Sequence, residues 1–476
     1  MPAFRGRKLA FLRSIAEFIY RKEYTMNILH YSLGFPPYRT GGLTKFCMDL
    51  MTQQAADGHS VALLWPGEFL LHTRKTRIRN RGLKNGIVSF EVQNPTPVSY
   101  DEGIVETERF MEEGNQSVYD DFLKKLAPEV IHIHTLMGLH KGLLTAAKSQ
   151  GIKLAFTTHD FYPVCPKVTM FRDGCACTDS TDCEHCPACN LTALSFAKIR
   201  ILQSGVYRLL KDNPVVKKLR KQHRDAYLSE EKLKQTDPEK AVKTAADYQK
   251  LRKFYNDLLE QMDVIHFNSS VTQADYNRYF CLQNSKQVLI PITHGHIQDH
   301  KRKKQFGEKL RITYLAPASA AKGFYMLKEA LDTLWNDAHN GRQDFCLNVH
   351  FSVEEQIPYL NSIGRYHYGQ LEEIFEKTDI LVAPSIMHET FGYTVLEALS
   401  YGVPVIISDN LGAKDVLPDG GGIVIGNITA EKLAEVIRNL DAKRLQDMNE
   451  VIVNTMQLPS VATMSRQIIA CYGAEK

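Results

Sequence analysis

Asp379-Ile-Leu-Val-Ala-Pro-Ser-Ile-Met-His-Glu-Thr-Phe-Gly-Tyr-Thr-Val-Leu-Glu-Ala-Leu-Ser-Tyr-Gly-Val-Pro-Val-Ile-Ile407 holds a whole folding unit. Asp379 to Ala383 and Val403 to Ile407 are short apolar runs of strand length. Between them a polar loop leads into a helix that begins near Gly392. Near-continuous apolar strands of this kind are buried on both faces, so the unit predicts a parallel sheet covered by helices.

Outward from this block the rhythm repeats. In the same half of the chain, strands are expected at Leu310 to Leu315, Phe345 to Phe351 and Gly422 to Ile425. The first half carries its own series: Met26 to Tyr31, a loop from Phe35 to Gly42, a helix from about Thr44 to Asp57 stopped by Gly58, then strands at Ser60 to Leu64, Val130 to His134, Lys153 to His159 and Val264 to Asn268. Residues 191–261 depart from it as charged helical sequence, interrupted near Thr236-Asp237-Pro238. The expected organisation is a basic extension (1–25), a first doubly wound domain (26–290) containing a Cys-rich loop (165–189) and a helical insertion (191–261), and a second such domain (291–457). Two lobes of this type leave a cleft between them.

The chain has 476 residues, enough for two or three domains at about 150 residues each. Apolar residues at 44%, charged at 24% and a mean hydropathy of -0.27 exclude global disorder and an integral membrane protein. The net charge of +4 is uneven: residues 1–25 carry six Lys/Arg against two Glu, and residues 198–224 carry nine against Asp212. Two basic surfaces therefore sit on an acidic body. No apolar run reaches the roughly 18 residues that span a bilayer, so neither a transmembrane helix nor a secretory leader is expected. Ten cysteines without an export signal point to a reducing compartment.

Ligands in such sheets gather at the carboxyl ends of strands. Gly41-Gly42 follows the first strand and precedes a helix, where unhindered amides could meet an anion, although a plain tight turn also explains the pair. His134 ends one strand and His159-Asp160 another. Glu389 sits in a loop before a helix and Glu397 two turns within it. Phe391 and Gly392 to Thr394 lie at that helix start, where exposed amides suit a phosphate, while Glu397 could take a sugar's hydroxyl pair. Two carboxylates beside phosphates repel unless a cation offsets them, and Lys322 in Ala320-Ala321-Lys322-Gly323 is the candidate.

With these residues in place, the chain resembles the family 4 glycosyltransferases of the GT-B fold. The resemblance covers about residues 26–470 and rests on Glu389-x7-Glu397 with Phe391-Gly392, Glu397-Ala398-Leu399 and Gly402-Val403-Pro404-Val405-Ile406. Gly41-Gly42, His132-x-His134, His159-Asp160, Lys322-Gly323 and Asp379 to Ser385 support it. It implies an α/β, GT-B architecture of two Rossmann-like domains with parallel sheets facing across a cleft, and a C-terminal helix (458–476) crossing back to the first domain. It also implies retaining transfer of a sugar from a nucleotide-sugar, UDP- or GDP-linked, to a glycan or lipid-linked glycan in surface polysaccharide synthesis. His159, Glu389 and Lys322 would be catalytic. Gly41, Gly42, Lys322, Glu389, Phe391, Gly392, Tyr393, Thr394 and Glu397 would bind the donor, with His134 and Asp160 on the acceptor side. No divalent metal is required for that chemistry. One departure stands out: where family members often carry a second diphosphate-clamping arginine, five positions before the lysine, this chain has Pro317. A catalytically silent GT-B scaffold in a polysaccharide-assembly complex is the alternative reading.

Cys165, Cys175, Cys177, Cys183, Cys186 and Cys189 crowd one stretch. Cys183-x2-Cys186-x2-Cys189 has metal-ligand spacing, and with Cys175 or Cys177 it could hold a structural zinc, with His185 in reserve. Isolated thiols, an iron–sulfur cluster and disulfides remain open. The loop itself is expected to form neither helix nor strand. The two basic segments suit an anionic membrane surface, giving a cytoplasmic protein peripheral to the inner membrane face, or else solvated and packed helices. Nucleic acid is not expected, because no binding module accompanies the charge.

Overall fold

A computed structural model of the chain describes residues 26–36, 39, 41–99, 102–178, 181–228 and 243–473. The basic extension 1–25 lies outside the described residues. The first sheet uses β1 (Asn27–Tyr31), β2 (Ser60–Pro66), β3 (Arg77–Lys84), β4 (Ile87–Gln93), β5 (Val130–Ile133) and β6 (Lys153–Thr157). After a small hairpin, β7 (Phe171–Arg172) and β8 (Cys175–Ala176), it is completed by β9 (Val264–Phe267) and β10 (Lys286–Leu289). Its order is β10-β9-β6-β5-β1-β2-β4-β3, parallel except for the antiparallel edge strand β3. The second sheet orders β11 (Leu310–Tyr314), β12 (Phe345–Val349), β13 (Leu360–Ser362), β14 (Ile380–Ala383), β15 (Val405–Ser408) and β16 (Gly422–Ile425) as β13-β12-β11-β14-β15-β16, all parallel.

The two doubly wound sheets are those expected from the apolar runs, and the central strands are buried on both faces as that arrangement demands. The strands end sooner than the runs do: His134, His159 and Asn268 lie just past β5, β6 and β9, so each polar residue sits in a loop. Strands β3, β4, β10 and β13 lie outside the expected set. The polar, Arg-rich β3 pairs only along one edge, and its alternation is carried by charged residues rather than apolar ones.

Among the described residues of the insertion the helices are Phe196–Leu202, Gly205–Leu210, Pro214–Leu228 and Ala245–Leu259, and the interruption expected near Thr236-Asp237-Pro238 lies outside the described residues. The expectation of a cysteine loop without regular structure is corrected. It contains the β7–β8 hairpin and a short helix, Cys186–Cys189, which Pro187 can enter because the first helical turn leaves its N–H groups unpaired in any case.

The lobes share one buried apolar cluster. Phe46 and Leu50 of the helix Gly42–Ala56 join Val395 and Leu399 of the helix Tyr393–Ser400, together with Met464 and Ile468 of the C-terminal helix Val461–Cys471. That last helix is tied to the first lobe: Lys153 Nζ donates to the Tyr472 carbonyl at 2.8 Å, and the Tyr472 hydroxyl meets His132 Nδ1 at 2.6 Å. Among the described residues no helix is long and apolar enough to cross a membrane.

Candidate active site

The second lobe contributes two loops. The loop after β11 ends in Lys322-Gly323, and Gly323 is forced to be glycine: its φ is +75° and an added Cβ would lie 1.9 Å from the Pro384 carbonyl oxygen. That tight approach presses the Lys322 loop onto the loop after β14. Lys322 Nζ consequently lies 2.8 Å from Glu389 Oε2, joining residues on neighbouring strands' carboxyl ends. Glu389 is held by its backbone, which donates to Asn410 O at 2.9 Å and accepts from Gly412 N–H at 3.1 Å. Gly392 adopts φ +98° and opens the helix Tyr393–Ser400, whose first amides have no intrahelical acceptor.

Glu397 is placed differently from Glu389. It is buried in that helix and meets His294 Nε2 at 3.2 Å. The His296 backbone N–H donates to His294 Nδ1 at 3.3 Å, so the neutral ring carries its proton on Nε2 and donates to the carboxylate. The two glutamates thus have separate partners, Lys322 and His294. Lys322, the cation expected to offset the carboxylates beside a phosphate, stands against Glu389.

From the first lobe, Gly42 faces Tyr393, whose ring would lie 3.0 Å from an added Cβ, while Gly41 (φ +116°) has open space around its Cα. Thr390 Oγ1 donates to the His159 carbonyl at 3.2 Å, which sets the Glu389 loop directly against the end of β6. Across the same seam His388 Nδ1 meets Asp275 Oδ2 at 2.6 Å, and Ser270 Oγ donates to Asp415 Oδ1 at 2.6 Å. The structure therefore brings Gly42, His159, Lys322, Glu389 and Gly392 to Thr394 to one seam between the lobes.

Behind His159 runs a buried chain of rings that sequence alone did not suggest. His30 Nε2 meets Gln54 Oε1 at 2.7 Å, His30 Nδ1 meets His134 Nε2 at 2.9 Å, and His134 Nδ1 meets His159 Nε2 at 3.3 Å. Burial lowers the pKa of each of these histidines, to about 4 for His30 and well below the ordinary value for His134 and His159. All three are therefore neutral near pH 7, with one proton per ring. The Gln54 oxygen can only accept, so His30 carries its proton on Nε2, His134 on Nε2 and His159 on Nε2, which leaves Nδ1 of His159 as an acceptor. The pairing of β1 with β5, His30 opposite His132, builds this cluster. His134, expected on the acceptor side, is thus fully buried and supports His159. The sets His30, His132, His134 and Cys47, His134, His159 each place donor atoms within 4.8 Å, and ring-to-ring hydrogen bonds account for much of that approach.

Asp160 caps its own turn, accepting from Thr135 Oγ1 at 3.1 Å and Tyr162 N–H at 3.0 Å; burial pushes its carboxyl up to about 6 against those bonds. Arg311 does not substitute for an arginine at Pro317, because Asp379 holds its guanidinium at 2.5 and 3.1 Å. Sequence reasoning missed Lys45, one turn into the helix after Gly41-Gly42. Its ammonium lies 3.5 Å from the Tyr368 ring centroid and has no hydrogen-bond partner, and desolvation pushes its pKa down to about 8, opposed by Glu397 and Asp49. A cation three residues beyond a Gly-Gly turn was the available signal.

Cys165, Cys177, Cys186 and Cys189 line one cavity of about 30 Å³, with His185. Cys175 is exposed on the hairpin and Cys183 is buried beside Tyr162 and Tyr248. Among the described residues no three of these sulfurs lie within 4.8 Å of one another.

Comparison with known proteins places this geometry. The chain has the GT-B fold. It superposes over 94% of its length on the sucrose-phosphate synthase of Thermosynechococcus elongatus (TM-score 0.53, 13% identity, 99% of that chain). It is similarly related to HepE of Anabaena in complex with UDP and glucose (TM-score 0.52, 13% identity, 94% of this chain, 100% of that chain). A glycosyltransferase from Rickettsia africae matches with a TM-score of 0.55 at 13% identity, over 94% of this chain and 98% of that one. Residues 354–455, which include both glutamates, match the family model "Glycosyl transferases group 1". A 97-residue stretch is 29% identical to the O-antigen chain mannosyltransferase RfbU of Salmonella typhimurium, covering 18% of this chain and about a quarter (26%) of that relative.

Proposed function

We propose that the protein is a retaining glycosyltransferase of the family 4 type, moving a sugar from a UDP- or GDP-sugar to a glycan or lipid-linked glycan acceptor of a surface polysaccharide. The observation that carries this reading is the Lys322–Glu389 pair, 2.8 Å apart, set by the Thr390 contact against His159 of the opposite lobe. In this reading the leaving diphosphate draws on Lys322, on the amides of Tyr393 and Thr394, and on Lys45. Glu389 supplies hydrogen bonds to the sugar and negative character near the developing oxocarbenium centre. The acceptor nitrogen of His159 takes a sugar hydroxyl, and Glu397 takes the ribose hydroxyls. The side chains crossing the seam hold donor and acceptor in one orientation.

The test is release of nucleoside diphosphate from a panel of UDP-, GDP-, ADP- and dTDP-sugars, with Glu389→Gln as control. One donor should be hydrolysed slowly without acceptor, and the variant should lose about 10²-fold or more. Binding should be visible too, since a ligand at 100 times its Kd stabilises by about 2.7 kcal/mol. Pro317 favours the second reading, a silent scaffold, because it leaves Lys322 as the one cation of residues 315–323. A protein that neither binds nor hydrolyses any donor of the panel establishes the scaffold.

A further inference from the structure

We propose that the helices Phe196–Leu202, Gly205–Leu210 and Pro214–Leu228 form a docking surface for an anionic lipid bilayer. Six large aliphatic side chains are exposed here: Ile201, Val206, Leu209, Leu210, Val215 and Leu219, with Leu209 reaching 85%. They are not scattered. Val206, Leu209 and Leu210 share one face at spacings of three and four, and Val215 and Leu219 share another at a spacing of four. An aliphatic patch of this kind costs free energy in water and marks a contact surface.

Charge decides which contact. Residues 198–224 hold nine Lys/Arg against one Asp, and Lys198, Lys217, Lys218 and Arg220 are exposed among the aliphatic positions. A second copy of this chain would bring like charges together, and a nucleic acid would leave the aliphatic side chains in water. A bilayer with anionic headgroups satisfies both: aliphatic groups enter the acyl boundary while the ammonium and guanidinium groups stay at the phosphates.

The platform is fixed to the first lobe. Phe69 pairs with Ser204 by a β-bridge, Arg200 donates to the Leu70 carbonyl at 3.3 Å, and Arg208 meets the buried Glu91 at 3.3 Å. Beside it opens a cavity of about 650 Å³ lined by Arg74, Lys75, Arg77 and Arg200, with Glu112 as its one carboxylate. These four cations extend the same positive field to the edge of the patch. The inference goes beyond the donor chemistry and its test requires no sugar transfer, so either reading can fail without the other.

The experiment is vesicle sedimentation of the full chain. Wild type is expected to bind phosphatidylcholine vesicles containing about 30 mol % phosphatidylglycerol, and to bind at least about 10-fold more weakly to pure phosphatidylcholine or in about 0.5 M salt. Leu209→Asp with Leu219→Asp, and separately Lys217→Glu with Lys218→Glu and Arg220→Glu, should each lower the partition at least about 10-fold. Unchanged circular dichroism and an unchanged thermal midpoint keep these surface variants interpretable. Absence of binding by wild type, equal binding to both vesicle types, or variants that bind like wild type overturns the proposal; the last would move the affinity to another part of the chain such as residues 1–25.

Discussion

Lys45→Met should make the ligand-free protein more stable and its nucleotide binding weaker. Lys45 keeps an ammonium between the lobes with a ring face and no hydrogen-bond acceptor. Desolvation, its largest influence, pulls the pKa from 10.5 to about 8. At full burial that shift corresponds to about 3 kcal/mol of penalty on the charged form at neutral pH, and half-burial screens it to about 1–2 kcal/mol. Methionine keeps the aliphatic stem and removes the charge, so the unfolding free energy from urea denaturation at pH 7 should rise by that amount. The pH dependence has a fixed sign. The folded-state pKa lies below the unfolded one, so between about pH 8 and 10.5 the unfolded chain holds more protons and wild-type stability gains with pH. The gap between variant and wild type should therefore close across that window. A diphosphate in the cleft would offset the penalty through a charge-assisted hydrogen bond of about 1.5–3 kcal/mol, so the variant should bind UDP or GDP about 10- to 100-fold more weakly by calorimetry. If Lys45→Met destabilises the ligand-free protein, or leaves nucleotide affinity unchanged, the ammonium is not waiting for an anion and the argument fails.

The two glycine turns separate strain from collision. Gly323→Ala adds a Cβ 1.9 Å from the Pro384 carbonyl at positive φ and should cost about 2–4 kcal/mol in chemical denaturation, whereas Gly41→Ala, with nothing within 4 Å, should cost only the backbone strain of about 1–2 kcal/mol. Gln54→Met removes the acceptor that orders the histidine chain. It should leave the fold intact but mix the His159 tautomers, read from its ring nitrogen NMR shifts, with a several-fold loss in donor turnover; a single unchanged tautomer refutes the relay. A structural zinc, if the cysteine loop holds one, requires the sulfurs lining the cavity of Cys165, Cys177, Cys186 and Cys189 to close together. Metal analysis of protein purified without chelator should then give about one zinc per chain, lost in Cys186→Ser with Cys189→Ser, and a content near zero excludes it.

Local sequence determined the apolar central strands of both sheets and several corners of the site. Apolar runs bounded by glycine and proline specify parallel strands because a strand buried on both faces must be apolar throughout, as in Ile380–Ala383 and Val405–Ser408. The placement of Gly41-Gly42, Lys322-Gly323 and Glu389 at strand ends follows from the same pattern. What tertiary structure alone decided is pairing. Lys322 meets Glu389 because β11 and β14 are neighbours, Glu397 meets His294 because the linker folds back, and His159 rests on His134, His30 and Gln54 because β1, β5 and β6 lie side by side. Periodicity reports which face of an element is buried and carries no information about which other element covers it. The burial that neutralises those histidines, and leaves Lys45 without an acceptor, exists only once the sheets and lobes have closed on each other.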